Sequence, residues 1–160
     1  AIAERRTDRM LDPARSQGLP PFLVPRAGTN SGFMVAQYTA ASLAEENRRL
    51  AAPASTGSLP TSAMQEDHVS MGWSAGLKLR RVLRNLARIL AVEAVCAAQA
   101  LDLRSPLEPA PATGAVRERI RREVPFVERD RFLAAHLRAA EGLVLSGALA
   151  EAAGEVVELG

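Results

Sequence analysis

The sequence predicts an all-α chain built on long helices, and three observations carry that prediction. Its 160 residues are 48% hydrophobic but only 4% aromatic, and Ala, Leu and Val dominate, which suits closely packed helices better than a sandwich of β-branched strands. From Glu66 to Leu101 there is no Pro, and apolar residues recur at three- and four-residue steps. The helix breakers collect instead in three stretches, 16–29, 53–60 and 105–111.

Taken in order, Ile2, Ala3, Met10 and Leu11, interrupted by charges, fit the last turns of a helix that Asp12-Pro13 ends. Ser16 to Thr29 holds Gly18, Pro20, Pro21, Pro25 and Gly28, too many breakers for a helix and too much Pro for a central strand. Leu19, Phe22, Leu23 and Val24 favour an ordered loop there. Asn30 and Ser31 are good N-cap residues for the run Phe33 to Ala44, which carries no charge and is expected to be buried on all sides over its first three turns.

After Pro53–Pro60 comes the expected long helix, about 35 residues over 66–101, with Arg80, Arg81, Arg84 and Arg88 opposite Leu79, Val82, Leu83 and Leu86. It would run on the order of 50 Å, whereas a globule of 160 residues has a radius of gyration of roughly 15 Å. Either the helix breaks or the chain is a slice of a larger helical assembly; the favoured reading is the slice, in which a single, largely buried helix protrudes from its own globule and packs against other copies. Gly114–Glu123 and Arg129–Leu149 give two further helical patterns separated by Pro125, the second with Phe132, Leu133, His136, Leu137, Ala140, Leu143 and Val144 on one face. The chain therefore divides into 1–104, with the long helix and the polar motifs, and a terminal helical segment, 105–160.

The net charge is only +2, Lys78 is the sole lysine, and the arginines have no interleaved aromatics. Nucleic acid is not an expected partner. Cys96 is the one cysteine, which excludes an internal disulfide and reads as an inert core thiol in a reducing compartment. With no run of about 18 uncharged apolar residues and no apolar signal core, no membrane partner is expected and the location reads as cytoplasmic. The chain starts without Met in what reads as mid-helix, as a piece of a longer polypeptide would.

Chemistry is densest at Gln65-Glu66-Asp67-His68, an amide, two carboxylates and an imidazole in succession. At a helix start this cluster admits a capping role, in which acids complement the positive end of the dipole and His68 is a structural hydrogen-bonding residue. It also admits an acid/base or substrate-holding carboxylate. A metal is not expected, because His136 is the only other histidine and sits on an apolar face. Asn30-Ser31 shares the ambiguity between cap and site, since two polar helix starts preceded by Pro/Gly loops are how an all-α protein builds an anion site. Ser55-Thr56-Gly57-Ser58 lacks the Lys and the glycines of a phosphate loop.

Four motifs at consistent spacing, Gly18-Leu19-Pro20-Pro21-Phe22-Leu23, Asn30 to Gln37, Ser58-Leu59-Pro60-Thr61-Ser62 and Gln65 to Gly72, resemble the carboxy-terminal part of the aromatic amino-acid lyases. The resemblance runs from about residue 1 to Leu103, and more loosely through Asp130-Arg131-Phe132. It implies a helical homotetramer about three times this length, whose sites draw residues from several subunits. It also implies a methylidene-imidazolone electrophile made from an Ala-Ser-Gly that does not occur in these residues. Within the family Glu66 matches the glutamate of the enzymes acting on histidine, where those acting on phenylalanine carry Gln, and Gln65 matches their Asn. Met64 stands where many of the histidine enzymes have Asn. The implied reaction is loss of ammonia from L-histidine to give trans-urocanate, with Glu66 as imidazole holder or base and Gln65 and Asn30 lining the site. An imidazole N–H satisfies a carboxylate that a phenyl ring would leave unpaired.

Overall fold

The structure, a computed structural model, describes residues 1–158. Its spine is α3, Gly72–Asp102, 31 residues without interruption at Gly76 and about 46 Å long at 1.5 Å per residue. Around it lie α1 (Ile2–Leu11), α2 (Met34–Leu50), α4 (Pro111–Arg121), α5 (Ala134–Ser146) and α6 (Ala148–Gly154), with short 3-10 turns at Pro21–Leu23 and Ala54–Gly57. α1, α2, α4 and α5 all pack on α3, and α6 packs on α4 and α5.

The core is built where small and β-branched side chains let these helices approach. Ala91, Val92, Val95, Cys96 and Ala98 of α3 meet Phe33, Leu23, Ile120, Val124, Val127 and Leu143, all buried. The breaker-rich 16–29 stretch is an ordered loop, as Leu19, Leu23 and Val24 are buried. Cys96 is fully enclosed, and burial pushes its thiol far above the ordinary range, so it stays protonated and inert.

Three expectations about α3 and α2 need correction. The long helix starts at Gly72, not Glu66, because the backbone before it is already engaged in a closed loop, with Ser58 bonded to Val69 and Thr61 to Glu66. It is buried only from Asn85 onward; Trp73 is 82% exposed, and Leu77, Leu79 and Leu83 are exposed as well. Only the C-terminal half of α3 has α1, α4 and α5 around it, while its N-terminal half meets α2 and the 3-10 turn at Ala54–Gly57, where Lys78 Nζ donates to the Ala52 carbonyl. The first turns of α2 are likewise not buried on all sides. Ala36 and Ala40 face α3, but Val35 and Tyr38 point to solvent, the tyrosine at 70% exposure.

α2 runs antiparallel to α3. Near its C-terminus Asn85 Nδ2 donates to Glu46 Oε2 (2.9 Å) and Asn47 Oδ1 (3.0 Å), and Arg81 pairs with Glu46 at 2.7 Å. Near its N-terminus Val35, Ala36 and Thr39 share a cleft with Arg88 and Val92.

The single helix expected over 129–149 is two. α5 begins at Ala134, and Gly147, with φ 81°, turns the chain into α6, a left-handed conformation that glycine adopts without penalty. Phe132 precedes the helix and is exposed, whereas Leu133, Leu137, Ala140, Leu143 and Val144 do pack on the core. His136 is half-buried; burial and then the charge of Arg131 lower its pKa. A histidine whose folded pKa lies below its unfolded value stabilises fully above about pH 6.5 and loses that contribution as pH falls toward the lowered value. His136→Gln is therefore expected to flatten the loss of stability between about pH 7 and pH 5, read as denaturation midpoints at the two ends of that range.

Candidate active-site loops

The first loop, 58–71, is closed twice. Ser58 Oγ donates to the Val69 carbonyl (3.0 Å) and accepts the Val69 N–H (2.9 Å). Inside that closure Thr61 and Glu66 exchange backbone hydrogen bonds at 2.9 and 3.3 Å. The turn between them puts Ser62, Ala63 and Met64 at φ 53°, 53° and 71°, a left-handed run that costs non-glycine residues about 1–2 kcal/mol each. A strained turn held by flanking bonds is a way to fix the direction of the residues that leave it. Gln65, Glu66, Asp67 and His68 leave this one, and all four are exposed.

The capping reading of this cluster fails. α3 starts at Gly72, its N-cap is Met71, and no side chain caps it. His68 lies four residues before the helix, and its side chain makes no hydrogen bond to the described residues, so its expected structural role at a helix start is also corrected. No group of three His, Cys, Asp or Glu comes together among the described residues.

The second loop, 22–33, leads into α2, whose N-cap is Phe33 rather than Asn30 or Ser31. Asn30 Nδ2 donates to the Pro25 carbonyl (3.0 Å), and its Oδ1 accepts the N–H of Asp130 (3.2 Å). The Asp130 carboxylate in turn accepts the Ser31 N–H at 3.0 and 2.9 Å and the Gly32 N–H at 2.8 Å. An anion does sit ahead of α2, but it is a carboxylate of the same chain, and it is held by loop N–H groups that precede the N-cap rather than by the helix terminus.

Gly32 is required here. Its φ is 51°, and a Cβ would lie 2.4 Å from the Phe22 carbonyl oxygen and 2.8 Å from Val24 Cβ, while Phe33 N–H donates to that same carbonyl at 3.0 Å. Gly32→Ala is expected to destabilise the chain by about 2 kcal/mol, from left-handed strain plus displacement of the Phe22 backbone. Denaturant titration measures it.

One chain does not bring the two loops together. Asn30 lies at the end of the α2–α3 pair near Val92, and Glu66 precedes Gly72 at the other end. The roughly 20 residues of α3 between those levels span about 30 Å. Sequence reasoning did not single out Gln99, a fully buried amide in an Ala/Val run. Its partners Leu23 and Val127 stand 76 and 28 positions away, which no local pattern exposes. Asp130 is legible only as part of a loose motif.

Residues 1–122 match the profile of the family described as aromatic amino acid lyase. The chain belongs to that family. It is 56% identical over 154 residues to a histidine ammonia-lyase of Streptomyces avermitilis, covering 96% of this chain and 30% of the relative. To a histidine ammonia-lyase of Streptomyces coelicolor it is 57% identical over 157 residues, 98% of this chain and 31% of the relative. Among solved lyase-fold structures, a histidine ammonia-lyase from Trypanosoma cruzi superposes with a TM-score of 0.92 at 41% identity, covering 98% of this chain and 31% of that one. A tyrosine aminomutase from Streptomyces globisporus superposes at 0.93 with 39% identity, covering 99% and 30%. The chain thus spans about 30% of the length of the curated relatives it matches, and this part of the aromatic amino acid lyase fold consists of helices and loops, with no strand among the described residues.

Proposed function

We propose that the polypeptide containing this chain is an ammonia-lyase that converts L-histidine to trans-urocanate. The observation that carries the reading is Glu66, a carboxylate presented on a braced turn. In the elimination the Cα–N bond and one Cβ–H bond break, a Cα=Cβ bond forms, and ammonia and a proton leave. Glu66 is suited to accept the imidazole N–H and so orient the ring, or to take the β-proton; Gln65 beside it offers an amide to the same ligand. Asn30 lines the site through the loop it braces, its own amide being engaged at both ends. The greater identity to the Streptomyces histidine enzymes than to the tyrosine aminomutase supports the same substrate.

A methylidene-imidazolone, made from an internal Ala-Ser-Gly, would supply the electrophile; that tripeptide is absent from these 160 residues. No metal is assigned. Because Asn30 and Glu66 sit at opposite ends of α2–α3, we assign them to one site only through assembly. Each site takes Asn30 from one copy and Glu66 from another, within a homotetramer in the cytoplasm. The exposed Trp73, Leu77, Leu79 and Leu83 are the face of α3 that other copies would cover. Residues 1–104 then carry the site and 105–160 form a terminal segment.

A tyrosine or phenylalanine lyase or aminomutase is the second reading, favoured by the equally close superposition of the tyrosine aminomutase. A non-catalytic helical assembly piece is the third. The test is to express the complete polypeptide with its Ala-Ser-Gly and offer it histidine, tyrosine and phenylalanine. Urocanate from histidine alone is expected. A cinnamate-type product or a β-amino acid establishes the second reading, and no product from any of the three the third.

A further inference from the structure

We infer that Asp130 is a positioning residue for the site, locking the Asn30 loop from the far end of the chain; the inference rests on the reading of that loop as part of the active site. Ser31 and Gly32, the latter at φ 51°, turn two successive N–H groups toward one point, a concave nest that suits an anion. The Asp130 carboxylate fills it with three contacts of 2.8–3.0 Å. Its backbone N–H binds Asn30 Oδ1, and Asn30 Nδ2 binds Pro25. The amide of Asn30 can satisfy both only in this orientation, since a flip would set an NH₂ group against an N–H.

The clasp is itself anchored in the core. Gln99 Nε2 donates to the Leu23 carbonyl (3.0 Å) and the Val127 carbonyl (2.8 Å), and its Oε1 accepts the Val127 N–H (3.1 Å). One buried amide thus fixes the start of the site loop and the base of the segment that carries Asp130. Arg121 Nη1 donates to the Val124 carbonyl at 2.8 Å and holds that segment from α4. Two staples, at Leu23 and at Ser31-Gly32, tie residues 23–32 to residues 127–130. Asp130 and Ser31 are exposed, so water can replace the clasp without opening the core. Its loss should move the loop more than it unfolds the protein.

The experiment uses the complete polypeptide with Asp130→Ala and Asp130→Asn. In Asp130→Ala, kcat for histidine should fall about tenfold or more, the cost of a displaced site loop, with the thermal midpoint close to that of the unaltered protein. Hydrogen exchange in the peptide covering 29–34 should lose the protection of the Ser31 and Gly32 amides. Added formate should restore part of kcat in Asp130→Ala by refilling the nest, and none in Asp130→Asn, whose side chain still occupies it. Retained protection in Asp130→Ala overturns the clasp, and lost protection with unchanged kcat overturns the positioning role. Exchange needs no substrate. An unaltered enzyme that ignores histidine therefore overturns the proposed activity, while the clasp is still decided by protection.

Discussion

Gln99→Met is expected to cost this chain about 3–5 kcal/mol. Methionine has nearly the volume and flexibility of glutamine, so packing is preserved and the loss isolates the polar contacts. Four groups lose their partner at a side chain with no solvent exposure: the Leu23 and Val127 carbonyls, the Val127 N–H, and Arg121 Nη2, which donates to Gln99 Oε1 at 3.3 Å. Each buried group left unpaired costs about 1–3 kcal/mol, against a total stability of about 5–15 kcal/mol for a domain. Gln99→Glu should be as damaging, because two carbonyl oxygens would then face a carboxylate oxygen. Urea titration measures the shift, with an unchanged m-value showing that the unfolded state is not responsible. A loss under about 1 kcal/mol would mean that water reaches these groups, and the amide would not be the anchor of the segment.

The contrast between Gln99 and α3 shows what the sequence could disclose. The continuity of α3 through Gly76 is legible because apolar three- and four-residue steps persist on both sides of the glycine, and one glycine costs only about 1 kcal/mol in a helix. Its start is not legible. Residues 66–71 would tolerate a helix, but Ser58 Oγ holds both polar groups of the Val69 backbone and Thr61 holds those of Glu66, and propensity cannot register a bond across eleven residues of loop. Asn30 reads as a cap for the same reason: the group its side-chain oxygen accepts from, the Asp130 N–H, comes from 100 positions downstream. The all-apolar start of α2 predicts burial, and Val35 and Tyr38 contradict it in a single chain. That pattern, like the stripe on the N-terminal half of α3, leaves apolar surface that this chain does not itself cover.

The motifs place Glu66 and Asn30 together in one expected site, but in this chain they precede opposite ends of the α2–α3 pair, a consequence of the antiparallel packing of α2 on α3, which no motif encodes. It also sets the requirement on Glu66. In this chain its side chain is exposed, so the proposed carboxylate–imidazole bond would need low-dielectric surroundings that this chain does not itself supply.

In the complete polypeptide, Glu66→Gln and Glu66→Ala should therefore separate its two possible roles. Gln keeps an acceptor but loses the charge, and Ala loses both. A charge-assisted hydrogen bond is worth roughly 1.5–3 kcal/mol, so a holder of the imidazole predicts a loss of about tenfold or more in kcat/KM for Gln and a larger one for Ala. A base predicts that the loss falls on kcat and exceeds about a hundredfold even for Gln, since an amide cannot accept the proton. Folding does not confuse the comparison, because the contacts that Glu66 makes in this chain are the backbone bonds to Thr61, which both variants retain. Within this chain, removing that exposed side chain should change stability by no more than about 0.5 kcal/mol. Saturating and limiting histidine distinguish the outcomes. Unaltered turnover in Glu66→Ala at both concentrations would show that the braced turn presents its carboxylate to something other than the substrate.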